Sequence, residues 1–106
     1  MPLYNPPATF TIPNDTSSST NKVTNSLNET ASEIVPANVN RKGLTIFNTL
    51  TQNLYLDTVS TVSTNSYMAK IPAGAFYELP ANKIYIGSFY GILATGTGSV
   101  EIREFV

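Results

Sequence analysis

The stretch from Ile34 to Asp57, IVPANVNRKGLTIFNTLTQNLYLD, most constrains the fold because it predicts three short strands joined by two turns. Asn38 suits a turn, since its side chain can bond its own backbone and tolerates left-handed geometry. The segment Leu44–Asn48 mixes β-branched and apolar residues in the pattern of a strand. Leu54 and Leu56 would share one face of the next strand, because side chains alternate across a sheet.

The rest of the chain repeats this pattern, with turn residues every eight to twelve positions. The predicted strands are Ala31–Val35, Gly43–Asn48, Asn53–Asp57, Tyr67–Ile71, Ala75–Leu79, Ile84–Ile86, Ser88–Thr95 and Ser99–Phe105. The polar, β-branched run Thr58–Ser66 suits either an edge strand or a long connection. No segment keeps an apolar period of 3.6 residues. We therefore expect an all-β fold, a single jelly-roll-like β-sandwich of about eight short antiparallel strands, over residues 31–106.

Residues 1–30 differ and predict an extended N-terminal arm. The segment contains Pro2, Pro6, Pro7 and Pro13, followed by the polar run DTSSSTN at residues 15–21, a composition that disfavours a packed core. Asn21–Leu27 suits a weak strand or a bridging loop. Two interpretations of the arm stay open. It is either a frayed tail, or a segment that orders on a partner through the regularly spaced Tyr4, Phe10 and Ile12.

The residue types exclude most catalytic and metal chemistry. The chain has no Cys and no His, so it lacks disulfides, the strongest nucleophile and the common general base. Structural zinc rarely forms from carboxylates alone. Nothing in the sequence places Asp57 opposite Glu78 as a catalytic pair, and Gly96–Gly98 lacks the Lys of a phosphate-binding loop. We expect no enzyme activity, no metal site and no cofactor.

Charge excludes two further classes of partner. The net charge is −1, and no basic run is longer than Arg41-Lys42, so the sequence predicts neither nucleic-acid nor membrane binding. The nearly apolar stretch Ile84–Ala94 is too short to span a bilayer, and Met1–Tyr4 does not resemble the start of a signal peptide. Charged residues make up only 12% of the chain. That low value fits either a small uncharged β-protein or a surface covered by partners.

The aromatic residues allow a carbohydrate-binding interpretation. Sugars stack on aromatic faces, but the chain has no Trp, and Tyr is also enriched in cores and subunit interfaces. The candidates for such a face are Tyr55, Tyr67, Phe76, Tyr77, Tyr85, Phe89 and Tyr90. Packing in the core and at interfaces is the favoured interpretation.

Several motifs together resemble a known class of domain. They are NRKGLTIFN at residues 40–48, NLY at 53–55, IPAGAFYELP at 71–80 and YGILATGTGSVEIRE at 90–104. In this order they look like the small β-domains of tailed-phage virions, which occur in capsid decoration (cement) proteins, head fibres and tail parts. The resemblance covers residues 34–104, and an arm joined to one β-domain looks most like a decoration protein.

The resemblance implies a homotrimer that binds the major capsid protein on the outer surface of the head. Such a protein would be made in the host cytoplasm and would end in the virion. Tyr4, Phe10 and Ile12 would then be contacts to the capsid or a neighbouring subunit. Arg41 and Lys42, which the sequence places in a turn, would meet acidic surface on the same partners. The alternative is a receptor- or carbohydrate-binding module of a head fibre or tail.

Overall fold

The computed structural model describes residues 16–106, and eight β-strands form its framework. They are β1 (Thr20–Lys22), β2 (Ser32–Val35), β3 (Gly43–Phe47), β4 (Leu54–Asp57), β5 (Ala69–Ile71), β6 (Phe76–Glu78), β7 (Phe89–Leu93) and β8 (Glu101–Phe105). They form two four-stranded sheets in the orders β1-β8-β3-β6 and β2-β7-β4-β5. The all-β sandwich predicted from the sequence is confirmed.

The strand pairing is nested. Within the two sheets β1 pairs with β8, β2 with β7, β3 with β6 and β4 with β5, all antiparallel. The pairs β3–β8 and β4–β7 then join these four hairpin-like units into sheets. The chain thus doubles back on itself about the β4–β5 connection and is rolled into two layers. This is the strand order of an eight-stranded jelly roll.

The core lies between the two sheets and is built by period-two alternation. In β7 the residues Phe89, Gly91 and Leu93 point inward and are buried, while Tyr90 and Ile92 are half-buried on the outer face. The same alternation buries Leu44 and Ile46 in β3 and Ile102 in β8. Each fully buried side chain of this size stabilises the fold by roughly 1.5–3 kcal/mol. The buried apolar residues other than Tyr55 and Val62 form one cluster.

Two features of the described N-terminal residues move the predicted domain boundary. β1 pairs with β8 in the register Thr20↔Phe105, and Leu27 is a fully buried core residue that bridges to Gly98. The prediction of a weak strand or bridging loop over residues 21–27 is confirmed. The boundary between residues 30 and 31 is wrong, because residues 20–28 belong to the sandwich. The remainder of the predicted arm, residues 1–15, lies outside the described residues.

Two other predicted segments resolve as connections. Thr58–Ser66 belongs to the long β4–β5 connection, where Ser63 and Ser66 exchange two backbone hydrogen bonds and Val62 is buried as an anchor. Ile84–Ile86 is not a strand. Instead of pairing with a strand, the carbonyl of Tyr85 accepts from the Arg41 side chain and that of Ile86 accepts from the backbone nitrogen of Asn38.

The strand register defines two opposite ends of the sandwich. Gly43 lies opposite Phe105, and Val35 opposite Phe89, so the connections 36–42, 58–68 and 79–88 meet at one end, which we call the Arg41 end. The connections 23–31, 48–53, 72–75 and 94–100 form the far end. Within residues 16–106 the structure contains no helix long and apolar enough to cross a membrane.

Candidate binding surface

Arg41 is the centre of a hydrogen-bond network inside the Arg41 end. Its Nε donates to Glu104 Oε2 at 2.7 Å, and its two terminal nitrogens donate to the carbonyl oxygens of Tyr85, Gly87 and Pro36 at 2.7–2.9 Å. Asn38 Nδ2 donates to the other carboxylate oxygen, Glu104 Oε1, at 2.9 Å. One guanidinium thus ties the β2–β3 connection to the β6–β7 connection and to β8.

An aromatic ring completes the network. The guanidinium carbon of Arg41 lies 5.3 Å from the ring centroid of the fully buried Phe89, a cation–π distance. Tyr85 packs edge-on against the same ring, with centroids 5.1 Å apart. The backbone nitrogen of Asn38 also donates to Ile86 O, which holds the two connections together. The buried guanidinium therefore holds together two of the three connections of the Arg41 end, 36–42 and 79–88.

This geometry corrects the expectation that Arg41 contacts a partner. The residue is only 3% exposed, and its charge is matched by Glu104, which is also buried. A charge taken out of water needs a partner and hydrogen bonds, and Arg41 has both within its own chain. Arg41 is thus a structural residue of the end, not a free contact.

Lys42 keeps an exposed side chain at the same end. Its Nζ donates to the carbonyl of Thr16 at 3.1 Å, and its backbone nitrogen donates to Phe105 O at 2.7 Å. A cleft of about 270 Å³ lies beside it and is lined by Glu78 and Phe105 as well. Its opposite charges, one Lys and one Glu, do not define an anion or cation site. Contact between Lys42 and a partner stays a prediction.

Tyr4, Phe10 and Ile12 lie outside the described residues, so their predicted contacts stay predictions too. Among residues 16–106 no group of three or more Asp or Glu side chains is placed to hold a metal ion.

The seven aromatic residues considered for sugar stacking do not share one face. Phe89 is in the core, and Tyr77 is partly buried against the core. Tyr85 lies at the Arg41 end, and Phe76 lies on the β1-β8-β3-β6 sheet. Tyr55, Tyr67 and Tyr90 remain near the outer face of the β2-β7-β4-β5 sheet. Tyr55 is only 9% exposed, and Tyr67 packs edge-on against it with ring centroids 4.8 Å apart.

Exposed apolar side chains are concentrated at the Arg41 end. Of the eight large apolar residues that are exposed in the described chain, six lie in its three connections. These six are Val39, Val59, Tyr67, Met68, Tyr85 and Ile86. The other two, Phe47 and Phe76, lie directly opposite each other on β3 and β6, and they are 43% and 60% exposed. The four connections of the far end contribute none.

Charge divides the two ends in the same way. The connections of the Arg41 end contain Arg41, Lys42 and Lys83 but no Asp or Glu. The connections of the far end contain Glu29 and no Lys or Arg, and Glu29 Oε2 accepts a hydrogen bond from Gly96 N at 2.9 Å. Ser, Thr, Asn and Gly make up most of the remaining far-end residues. Glu104 neutralises Arg41, and Asp57 and Glu78 end the strands that lead into these connections. The loops of the Arg41 end thus carry two exposed lysines and several exposed apolar side chains, whereas those of the far end are polar.

Sequence reasoning singled out Arg41 and Lys42, and it named Tyr67 and Tyr85 only as candidates for sugar stacking, but it did not single out Val39 or Ile86. Val39, Tyr85 and Ile86 each sit in a short turn-rich segment, and only the jelly-roll topology brings these segments together. Comparisons of the chain with models of protein families, with curated proteins and with solved structures found no match.

Proposed function

We propose that this protein is a structural component of a tailed-phage virion, a decoration protein that binds the outer surface of the head and stabilises it. Its direct partner is the major capsid protein. The virion motifs described over residues 34–104 favour this role, and jelly rolls are a common architecture of viral structural domains. Because one fold hosts many functions, the proposal rests on surface chemistry as well as on resemblance.

The observation that carries the proposal is the exposure of eight large apolar side chains on a domain with very few charges. Grouped exposed apolar residues typically mark protein–protein contact sites. Each gains roughly 1.5–3 kcal/mol when it is fully buried by a partner. A protein that coats a head is covered on part of its surface throughout its working life, so such residues are not a liability for it.

A second candidate function is carbohydrate recognition by a head fibre or tail module. The observation that favours it is the group Tyr55, Tyr67 and Tyr90 near one outer sheet face, flanked by Asp57 and Lys70 at adjacent register positions. Tyr55 is nearly buried and Tyr90 is half-buried, so of these three rings only Tyr67 is well exposed for a sugar to stack on. Decoration is therefore the stronger proposal.

Co-sedimentation with phage heads tests the proposal. Heads of the phage that encodes this chain are prepared without the protein, mixed with it at rising concentration, pelleted, and heated to record their thermal stability. We expect saturable binding and a higher temperature of head disruption. A glycan array probed with the same preparation provides the contrasting measurement. Glycan binding without head binding would replace decoration by the carbohydrate-binding function.

A further inference from the structure

The two ends of the sandwich differ in what they offer a partner. The Arg41 end displays Val39, Tyr85 and Ile86 together with the exposed amino groups of Lys42 and Lys83. The far end displays hydroxyl and amide groups and one carboxylate. Interface cores are apolar and aromatic, whereas charges lie at the rim. Only the Arg41 end has both parts of that arrangement.

Three apolar residues of the Arg41 end, Val39, Tyr85 and Ile86, lie in connections that the buried network holds together. Tyr85 packs on Phe89, its carbonyl accepts from Arg41, and Ile86 O accepts from the backbone of Asn38. Val39 follows Asn38, whose side chain is fixed by Glu104. A surface that is ordered before binding loses little conformational entropy when a partner covers it.

The chain also leaves the sandwich at this end. Thr16 accepts from Lys42 Nζ, and Ser17 Oγ donates to the carbonyl of Val106 at 2.7 Å, so residue 16 is fixed beside the end of β8. Residue 16, the first that the structure describes, therefore lies at the Arg41 end.

We propose that the Arg41 end is the docking surface of this protein. Its partner is a protein surface with an apolar centre and a rim of Asp or Glu side chains. Val39, Tyr85 and Ile86 supply the apolar centre of the contact, and Lys42 and Lys83 face the carboxylates of the partner. The far end points away from the partner into solvent. This inference rests on the proposed decoration function, because it assigns the surface with which the head is bound.

The test compares matched pairs of substitutions by co-sedimentation with heads that lack the protein. Val39→Ser with Ile86→Ser removes two exposed apolar side chains from the Arg41 end. Phe47→Ser with Phe76→Ser removes two from the outer face of a sheet. We expect the first pair to weaken binding at least about tenfold, because it removes burial at the contact centre, and the second pair to change it less than about twofold. Circular dichroism and the urea midpoint confirm that each variant is folded.

Charge reversal provides a second, independent pair. Lys42→Glu with Lys83→Glu acts at the Arg41 end, and Lys22→Glu with Lys70→Glu reverses two exposed lysines on strands. Because opposite charges attract less strongly as salt rises, the unchanged protein should lose affinity with salt. We expect the first pair to bind weakly and to lose this salt dependence, and the second to behave like the unchanged protein.

The outcomes separate the two proposals. If the unchanged protein does not bind heads, both fall. If it binds and the sheet variants lose as much affinity as the Arg41-end variants, or more, decoration stands and the docking surface is wrong. If the Val39→Ser, Ile86→Ser variant binds heads normally but no longer associates with itself in sedimentation velocity, the end contacts a second copy, which also overturns this proposal.

Discussion

Glu104 shows how one residue decides the character of an entire end of the molecule. The alternation that directs Val100 and Ile102 into the core also directs Glu104 inward, near the end of β8. An inward carboxylate needs a cation, and Arg41, 63 positions earlier, supplies it at 2.7 Å. The sequence contained this signal, but it did not identify which of six basic residues would be the partner.

At this scale the first prediction concerns Arg41. Arg41→Met leaves Glu104 buried without its cation, and we expect it to lower the free energy of unfolding by about 3–5 kcal/mol. The control is Arg103→Met, which breaks the exposed pair with Glu101 at 3.0 Å and should cost less than about 1 kcal/mol. Urea titration followed by circular dichroism measures both. Equal small losses would show that the buried network contributes little.

The second prediction concerns the ionisation of Tyr77. Burial raises the pKa of its phenol above the ordinary value of 10.0. Below that value the phenol is neutral in both the folded and unfolded states and stability does not depend on it. As pH rises further, the unfolded state loses the proton first, so the folded state holds more protons and stability falls. The free energy of unfolding of Tyr77→Phe should therefore fall less steeply than that of the unchanged protein as pH rises above about 10. Urea titration at a series of pH values measures both slopes. Parallel curves for the two proteins would contradict this.

At the scale of elements, β2 to β8 each lie within a strand predicted from the sequence, whereas β1 was predicted only as a weak strand or bridging loop. β3, β4, β7 and β8 each carry alternating apolar residues, and all four lie within predicted strands. β1, with the sequence TNK, has no apolar residue, and its strand geometry comes from the edge that β8 offers. Ile84–Ile86 has the composition of a strand, but Arg41 and Asn38 take its carbonyl groups. Such tertiary partners are invisible in a local pattern.

Tight packing of core side chains over Gly91, on the inner face of β7, leads to a prediction about glycine. A Cβ on Gly91 would lie 3.0–3.2 Å from terminal methyl groups of Ile34, Leu27 and Leu54, whereas one on Gly43 would lie 3.4 Å from the Phe105 ring. We expect Gly91→Ala to destabilise the fold by about 1–3 kcal/mol through overpacking. Gly43→Ala, in ordinary contact, should change stability by less than about 1 kcal/mol. Thermal unfolding compares them, and equal midpoints would mean that the core yields easily at β7.

At the scale of the whole molecule, the position of β1 changes what can be removed from the N-terminus. Deleting residues 1–15 should leave the unfolding free energy within about 0.5 kcal/mol of the full chain. Deleting residues 1–30 removes β1 and the buried Leu27, and loss of such a core residue alone costs about 2–5 kcal/mol. Urea titration of both truncated proteins measures the two losses of unfolding free energy.

The shorter truncation also tests the predicted role of Tyr4, Phe10 and Ile12. If these residues anchor the protein on the head, the chain that begins at residue 16 will occupy heads poorly and raise their thermal stability little. Equal occupancy and equal protection by the truncated and full chains would show that the sandwich alone makes the contacts.

Self-association is the remaining prediction at this scale. Its motive is a surface with few charges and several exposed apolar side chains, together with the resemblance to virion β-domains. Closed symmetric assembly is a common way to bury such a surface. We expect a homotrimer by light scattering behind a sizing column at tens of micromolar. A monomer there would restrict trimer formation to the head surface.

The nested pairing also determines which strands can pair while the chain is being synthesised. β8 is the last strand to be made, yet it lies between β1 and β3 in the middle of its sheet. Ribosomes add about 5–20 residues per second, so about 4–16 s separate the synthesis of Thr20 from that of its sheet neighbours in β8. During this time β1 has no neighbour, and β3 shows its apolar face and one bare edge. A message cut short before residue 101 therefore yields a chain without the centre of one sheet, which proteases should remove rapidly.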